Sequence, residues 1–70
     1  MQNAYLTELR EDRGLTQAEL ALKLNLSPSA ISSYEQGVRI PRDAVKIKIA
    51  NFFGVSIFDI FYRGHRLEQP

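Results

Sequence analysis

The chain has 70 residues, none of them cysteine, and a formal net charge of +1. A chain of this length forms one small domain, and the lack of cysteine excludes both a disulfide framework and a thiolate zinc site. Its hydrophobic fraction of 44% is typical of a folded domain rather than a disordered segment. No run of about 18 apolar residues is present, and the N-terminus lacks a signal-peptide core, so a cytoplasmic protein without membrane association is expected.

Helix start and stop signals predict two helices in the first part of the chain. The first helix ends at Gly14, a typical C-terminal cap. Thr16 and Glu19 form a capping box at the start of the second helix. Asn25 follows that helix and tolerates the left-handed conformation that ends a helix and turns the chain sharply. We predict a turn of about three residues before the third helix.

The remaining signals predict three more helices. Ser27–Pro28 supplies an N-cap and a first helical proline, and Gly37 ends that third helix. A fourth helix is predicted after Pro41, although the alternation in VKIKI is also typical of a strand. The glycine stop at position 54 and the ordinary length favour a helix, whose predicted inward stripe is Val45, Ile49, Phe52 and Phe53.

The C-terminal segment begins with a predicted capping box at Ser56–Asp59, which opens a short fifth helix that extends to Tyr62. Residues 63–70 have no periodicity and are predicted to form a flexible tail, which leaves residues 1–62 as the folded domain. The fold class is therefore all-α, with five short helices joined by tight turns.

The third predicted helix has two different faces. On a helical wheel, Ala30, Ile31 and Tyr34 cluster on the side that must face the core. The opposite side carries short polar groups, although Lys and Glu have a better helix propensity than Ser. This face is either merely solvated or fitted to the DNA major groove, which is about 12 Å wide and admits a helix. Its members are Ser29, Ser32, Ser33 and Gln36.

Basic residues are concentrated after this helix. Four of the nine Lys and Arg residues fall between positions 39 and 48, where Asp43 is the one carboxylate. Such a run indicates either a solvated helix face or a contact with nucleic acid. The four residues are Arg39, Arg42, Lys46 and Lys48.

Two longer stretches resemble a known family: LTQAELALKLNLSPSAISSYEQGVRIP and IANFFGVSIFDIF. They resemble the helix-turn-helix of the phage repressor and Cro family, also called the xenobiotic-response-element type, across roughly residues 5–62. The matching positions are Thr16, Gln17, Ala18, Glu19, Leu20, Ala21, Ser27, Ile31, Tyr34, Glu35, Gly37 and Pro41. Three positions depart from the family pattern, because Asn25 replaces the usual turn glycine while Asp43 and Lys46 replace usually apolar residues.

The resemblance implies a compact five-helix, lambda-repressor-like domain that places the helix over residues 27–36 in the major groove of double-stranded DNA. Six side chains would then contact bases: Ser27, Pro28, Ser29, Ser32, Ser33 and Gln36. Three would contact phosphates: Gln17, Arg39 and Arg42. Arg10 and Glu35 match a pair that bridges the first and third helices in relatives.

A homodimer is predicted from large apolar side chains that the core does not use. In the last helix Ile57, Ile60 and Phe61 share one arc, whereas Phe58 lies on another. The predicted interface is Phe58, Tyr62, Ile47 and Phe52. The alternative is that Phe58 covers a neighbouring loop.

The function predicted from these features is that of a transcriptional repressor that binds a near-palindromic operator as a dimer. The alternative is an antitoxin or adaptor that uses the same fold to bind a partner protein. An enzyme is not expected, because the chain offers no nucleophile with a base, no glycine-rich phosphate loop and little room for a pocket. His65 alone forms no zinc site, and no metal, cofactor or small-molecule ligand is expected.

Overall fold

The computed structural model describes residues 3–62 and is all-helical over that range, as predicted. Its five helices are α1 (Ala4–Asp12), α2 (Gln17–Leu24), α3 (Pro28–Gln36), α4 (Asp43–Phe53) and α5 (Ile57–Phe61). The predicted flexible tail, with His65, lies outside the described residues. None of the helices within residues 3–62 has the length and apolar character that a membrane crossing requires.

The predicted boundaries of α2 and α3 are confirmed. Thr16 Oγ1 accepts from the backbone N–H of Glu19 at 3.0 Å, and the Glu19 carboxylate accepts from the Thr16 N–H at 2.9 Å. Asn25 has a φ of 58°, the left-handed conformation that ends α2. Ser27 Oγ accepts from the Ala30 N–H at 3.1 Å and caps α3. Residues 25–27 therefore make a three-residue turn that sets the two helices against each other.

The prediction for the start of α5 is only half right. Ser56 Oγ accepts from the Asp59 N–H at 3.0 Å, as a capping box requires. The reciprocal bond from the Ser56 N–H to the Asp59 side chain does not form. Aspartate is one methylene shorter than glutamate, so its carboxylate reaches back less far than that of Glu19 does in α2. The cap of α5 therefore depends on the serine alone.

The core draws a fully buried side chain from each of four helices: Leu6, Leu20, Ile31 and Ile49. The predicted core face of α3 is confirmed, because Ala30, Ile31 and Tyr34 are all buried. Ile60 of α5 is buried as well, and Ile57 and Phe61 pack beside it. All five helices thus close around one small core, and α3 can turn its other face outward without exposing apolar surface.

The inward face of α4 differs from the predicted stripe. Ile49 and Phe53 are buried as predicted, but Val45 and Phe52 are only half-buried. Ala50 and Lys46 occupy the remaining buried positions. The helix is therefore rotated relative to the stripe that the apolar residues alone indicate.

Lys46 overturns the idea that the basic run forms one solvated face. The residue is only 8% exposed, and its Nζ donates to the Tyr62 hydroxyl at 2.6 Å. The Nζ also lies 4.9 Å from the centre of the Tyr62 ring and 3.9 Å from Asp43 Oδ1. The aliphatic stem of a lysine can replace an apolar side chain when its ammonium group finds such partners. Lys46 therefore joins α4 to the end of α5.

Lys48 has a different structural partner. Its Nζ donates to the carbonyl oxygen of Leu24 at 2.9 Å, across to the last residue of α2. The carbonyls at a helix C-terminus lack partners within the helix, so this ammonium group satisfies one of them. Within residues 3–62, Arg39 and Arg42 are the two members of the basic run whose side chains make no such internal bonds.

Candidate nucleic-acid interface

The outer face of α3 carries the predicted base-contacting residues. Ser29 and Gln36 are exposed, and Ser32 and Ser33 are partly exposed between them. Ser27 and Pro28 are exposed at the start of the helix. The structure therefore leaves all six predicted residues accessible, four along the side of α3 opposite the core and two at the start of the helix. Short side chains along this face let a partner approach the helix backbone closely.

Hydrogen bonds already orient several groups on this face. Gln36 Nε2 donates to Ser32 Oγ at 2.7 Å, one helical turn away. The hydroxyl oxygens of Ser27 and Ser29 lie 3.2 Å apart, within hydrogen-bonding distance. Ser27 also caps α3, so its oxygen is partly committed to the helix. The Gln36 amide keeps one N–H and its oxygen for an outside partner.

A buried polar network lies behind the start of α2. Arg10 Nε donates to Glu35 Oε2 at 2.6 Å, and Arg10 Nη2 donates to Glu35 Oε1 at 3.2 Å. Arg10 Nη1 also donates to the carbonyl oxygen of Leu15 at 2.8 Å. The structure thus brings together the two residues predicted to bridge α1 and α3. Two parallel bonds of this kind are the strong geometry for a guanidinium with a carboxylate.

Gln17, a predicted phosphate contact, takes part in the same network. Its Nε2 donates to Glu35 Oε1 at 3.0 Å, while the residue stays partly exposed at the first position of α2. Sequence reasoning missed this bond, since the two residues are 18 positions apart and meet only through the crossing of α2 and α3. Hydrogen bonds among Arg10, Gln17 and Glu35 thus connect α1, α2 and α3.

Electrostatics in the network keep Glu35 ionised. Glu35 is only 7% exposed, and this burial alone would raise the pKa of its carboxyl group. The hydrogen bonds from Arg10 and Gln17 outweigh the effect of burial, so the pKa lies below its ordinary value. The positive charge of Arg10 balances the negative charge of Glu35.

No cluster of three or more His, Cys, Asp or Glu side chains suited to a metal occurs within residues 3–62.

The two predicted phosphate-contacting arginines lie beyond the end of α3. Both are exposed, and Arg42 is the N-cap residue of α4. The Arg39 guanidinium lies 5.4 Å from the centre of the Tyr34 ring. Both arginines border a shallow concavity of about 640 Å³ that reaches back to Ser27. Positive charge therefore follows one edge of the α3 face.

Two apolar side chains beside these arginines were not predicted as part of any site. Val38 and Ile40 are strongly exposed on either side of Arg39. The signal in the sequence was the alternation of apolar and basic residues in VRIP, directly after the glycine that ends α3. This segment is held to α3 by the Val38 N–H, which donates to the Ser33 carbonyl at 3.0 Å.

The residues predicted to form a dimer interface differ in their exposure to solvent. Ile47 and Phe58 are each 48% exposed, and Tyr62 is 42% exposed. The rings of Phe58 and Tyr62 lie 6.3 Å apart on one side of the last helix. Phe52 instead packs partly buried against the core, with its ring 5.0 Å from that of Phe53.

Comparison with known proteins identifies the family. A helix-turn-helix family model matches residues 6–60. The chain is 34% identical over 65 residues to multiprotein-bridging factor 1 of Candida albicans, covering 93% of this chain and 40% of that protein. It is 42% identical over 61 residues to human endothelial differentiation-related factor 1, covering 87% of this chain and 38% of the relative.

The chain spans about two fifths of the length of these relatives. The match nevertheless includes all of α2, the turn and α3, which are the elements that carry the outer polar face and its buried support. The chain belongs to the helix-turn-helix family of the phage repressor and Cro type, a family of DNA-binding domains.

Proposed function

We propose that this chain is the sequence-specific DNA-binding domain of a transcriptional regulator and that α3 enters the major groove. The observation that carries the proposal is the outer face of α3, where short polar side chains are exposed while the opposite face is locked into the core. A helix of this kind fits a groove about 12 Å wide and presents hydroxyl and amide groups to base edges. Base contacts are proposed for the six side chains defined above.

Phosphate contacts are proposed for two elements that flank α3. Gln17 lies at the start of α2, where the helix N-terminus favours negative charge. Arg39 and Arg42 lie in the segment that follows α3. Backbone contacts on both sides of a groove fix the register of the inserted helix but do not read sequence.

The salt dependence of binding tests these contacts. Replacing Arg39 or Arg42 with Ala should weaken binding to operator and random duplex alike, because each arginine neutralises a phosphate. The slope of log affinity against log salt should fall by about 0.9 for each phosphate that is no longer neutralised. Lys23→Ala, which removes one exposed charge from the far end of α2, is the matched control and should leave the slope unchanged. If both arginine variants keep the parent slope, these residues only face solvent.

Base selection tests the serine face. A serine hydroxyl both donates and accepts, so it discriminates less than a bidentate Arg–guanine pair, which is worth about 1–3 kcal/mol. The doubly substituted variant Ser29→Ala, Ser33→Ala should change the preferred base at one or two positions of each half-site when duplexes are selected from a random pool. DNA shape would supply the remaining specificity. Selection of the same sequences by parent and variant would show that the serines do not read bases.

A repressor that acts as a homodimer on a near-palindromic operator is the finer part of the proposal. The exposed Ile47, Phe58 and Tyr62 support it, since apolar surface of this kind commonly marks an interface. Phe52 would contribute only its exposed edge. A two-fold axis through this surface would set two copies of α3 about 34 Å apart, the spacing of half-sites one helical turn apart.

Sedimentation at micromolar concentration tests the dimer. The parent should sediment as a dimer, and Phe58→Glu should sediment as a monomer, because a carboxylate would be buried against the partner's apolar surface. Leu22→Glu, at an 83% exposed position on α2, is the matched control and should remain dimeric. A parent that stays near its monomer mass of 8.0 kDa at high concentration removes this interface.

A protein-interaction module, such as an antitoxin or adaptor, is the second candidate. The exposed Val38 and Ile40 favour it, and one similar protein is named as a multiprotein-bridging factor. One experiment distinguishes the DNA-binding domain from the protein-interaction module. A DNA-binding domain shifts labelled random duplex at low salt and releases it as salt rises, whereas a protein-interaction module alone shifts none.

A further inference from the structure

Glu35 has more than one partner. One carboxylate oxygen takes the Arg10 Nε bond, and the other accepts from both Arg10 Nη2 and Gln17 Nε2. The Arg10 and Glu35 side chains are 12% and 6% exposed, whereas Gln17 reaches the surface at the start of α2. The network therefore runs from the domain interior to a side chain proposed to contact a phosphate.

The carboxylate of Glu35 decides which way the Gln17 amide points. An ionised carboxylate accepts hydrogen bonds and donates none, so the nitrogen end of the amide, not its oxygen end, must face Glu35. A primary amide nitrogen carries two hydrogens, and Glu35 takes only one of them. The second N–H stays available. If the amide were flipped, its oxygen would face Glu35 and the two acceptors would repel each other.

Arg10 makes this arrangement compatible with DNA. An unbalanced carboxylate so close to the start of α2 would repel a phosphate at that position. The guanidinium of Arg10, 2.6 Å from Glu35, cancels most of that field and leaves the hydrogen-bonding geometry in place. The ion pair thus orients Gln17 without presenting a net charge to the DNA backbone.

We propose that Glu35 is a positioning residue for the DNA backbone: it fixes the Gln17 amide so that the second Nε2 hydrogen donates to a phosphate oxygen. This inference rests on the proposed function, because it assigns the orientation of one of the phosphate contacts. It adds a role in binding to a buried residue that touches no DNA. It also predicts that the Gln17 contact depends on Glu35 and not on the fold alone.

A double-mutant cycle on the full chain tests the proposal. In the parent, Gln17→Met should weaken operator and random duplex alike by about tenfold, the value of a hydrogen bond to a charged group. The salt slope should stay unchanged, because a neutral amide displaces no counterion. In the background Arg10→Met, Glu35→Met, the same change at Gln17 should cost less than about twofold, because the amide there has no fixed orientation.

The apolar background keeps the comparison interpretable. Replacing both members of a buried ion pair with apolar residues of similar volume is often neutral or stabilising, and thermal melting of each variant checks that it folds. An equal loss from Gln17→Met in the two backgrounds overturns the positioning role. Failure of the parent to bind any duplex at low salt is a different result, which overturns the proposed function and this inference with it.

Side-chain amide resonances give a second measurement that does not require the apolar background. In the free protein the Gln17 Nε2 proton bonded to Glu35 should resonate downfield of its usual position and exchange with water more slowly than the other Nε2 proton. Addition of duplex should shift the other proton strongly and leave the first in place. An ordinary chemical shift and equally fast exchange for both protons in the free protein, or the same shift of both on binding, would contradict the proposal.

Discussion

Replacing Arg10 with Met is expected to destabilise the domain by about 3 kcal/mol, because Glu35 would be left buried without its charged partner. For a domain of this size such a loss corresponds to a fall in melting temperature of roughly 10–20 °C. The Met side chain fills much of the space of the arginine stem, so lost packing contributes little to the effect. Thermal melting followed by circular dichroism measures it.

The double variant Arg10→Met, Glu35→Met is the control, because it removes the unpaired carboxylate together with its partner. It should melt close to the parent. If the single variant also melts with the parent, the pair contributes nothing to stability.

Acidification provides a second test of the same pair. The pKa of Glu35 is held below its ordinary value of 4.5 in the folded protein, so the stability it contributes is present above that pH and is lost as the pH falls through the folded pKa. In Arg10→Met the unpaired, buried carboxyl group should bind a proton more readily than in the unfolded chain. The gap in stability between parent and variant should therefore narrow at acid pH. A gap that stays constant from neutral to acid pH would exclude Glu35 as its cause.

Replacing Ser29 with Glu is expected to reduce operator binding by at least about a hundredfold while the fold is kept. Ser29 is exposed at the second position of α3, where a carboxylate favours the helix by about 0.3–1 kcal/mol. In the groove the same carboxylate would face phosphates and base acceptors, and such like-charge contacts cost several kcal/mol. Melting should stay level or rise while binding falls, so unfolding cannot explain the loss.

Two controls separate position from charge. Ser29→Ala removes the hydroxyl without adding charge and should retain most of the affinity. Leu22→Glu adds the same charge on the exposed side of α2 and should weaken binding only modestly, through long-range repulsion. Full binding by Ser29→Glu would mean that α3 does not enter the groove, and it would favour the protein-interaction module.

Local chemistry explains which parts of the fold were predictable. The capping box at Thr16 and the left-handed Asn25 depend on residues within a few positions of each other, so the sequence contains the whole signal. Ala30, Ile31 and Tyr34 followed from helical periodicity in the same way. The boundaries of α2 and the outer face of α3 could therefore be predicted from the sequence alone.

Tertiary contacts explain what was missed. Periodicity treats lysine as polar, and only the approach of Tyr62 makes the buried position of Lys46 acceptable. The bond from Gln17 to Glu35 depends on how α2 and α3 cross, which no local pattern encodes. The reciprocal bond of the Ser56–Asp59 capping box is missing because aspartate is one methylene shorter than glutamate. The spacing of the motif does not distinguish the two residues.

The way α3 is attached to the chain after it bears on how specificity can evolve. The Ser33 main-chain carbonyl, not its hydroxyl, accepts from the Val38 and Arg39 N–H groups, so these bonds survive any ordinary substitution at position 33. Ser29 likewise contributes no apolar packing to the core. Mutations at Ser29 and Ser33 therefore carry little folding penalty, and under the proposed function a lineage can change its preferred DNA sequence there while its scaffold stays intact. Because substitutions there cost little stability, Ser29 and Ser33 are suitable positions to randomise when variants with altered DNA preference are selected.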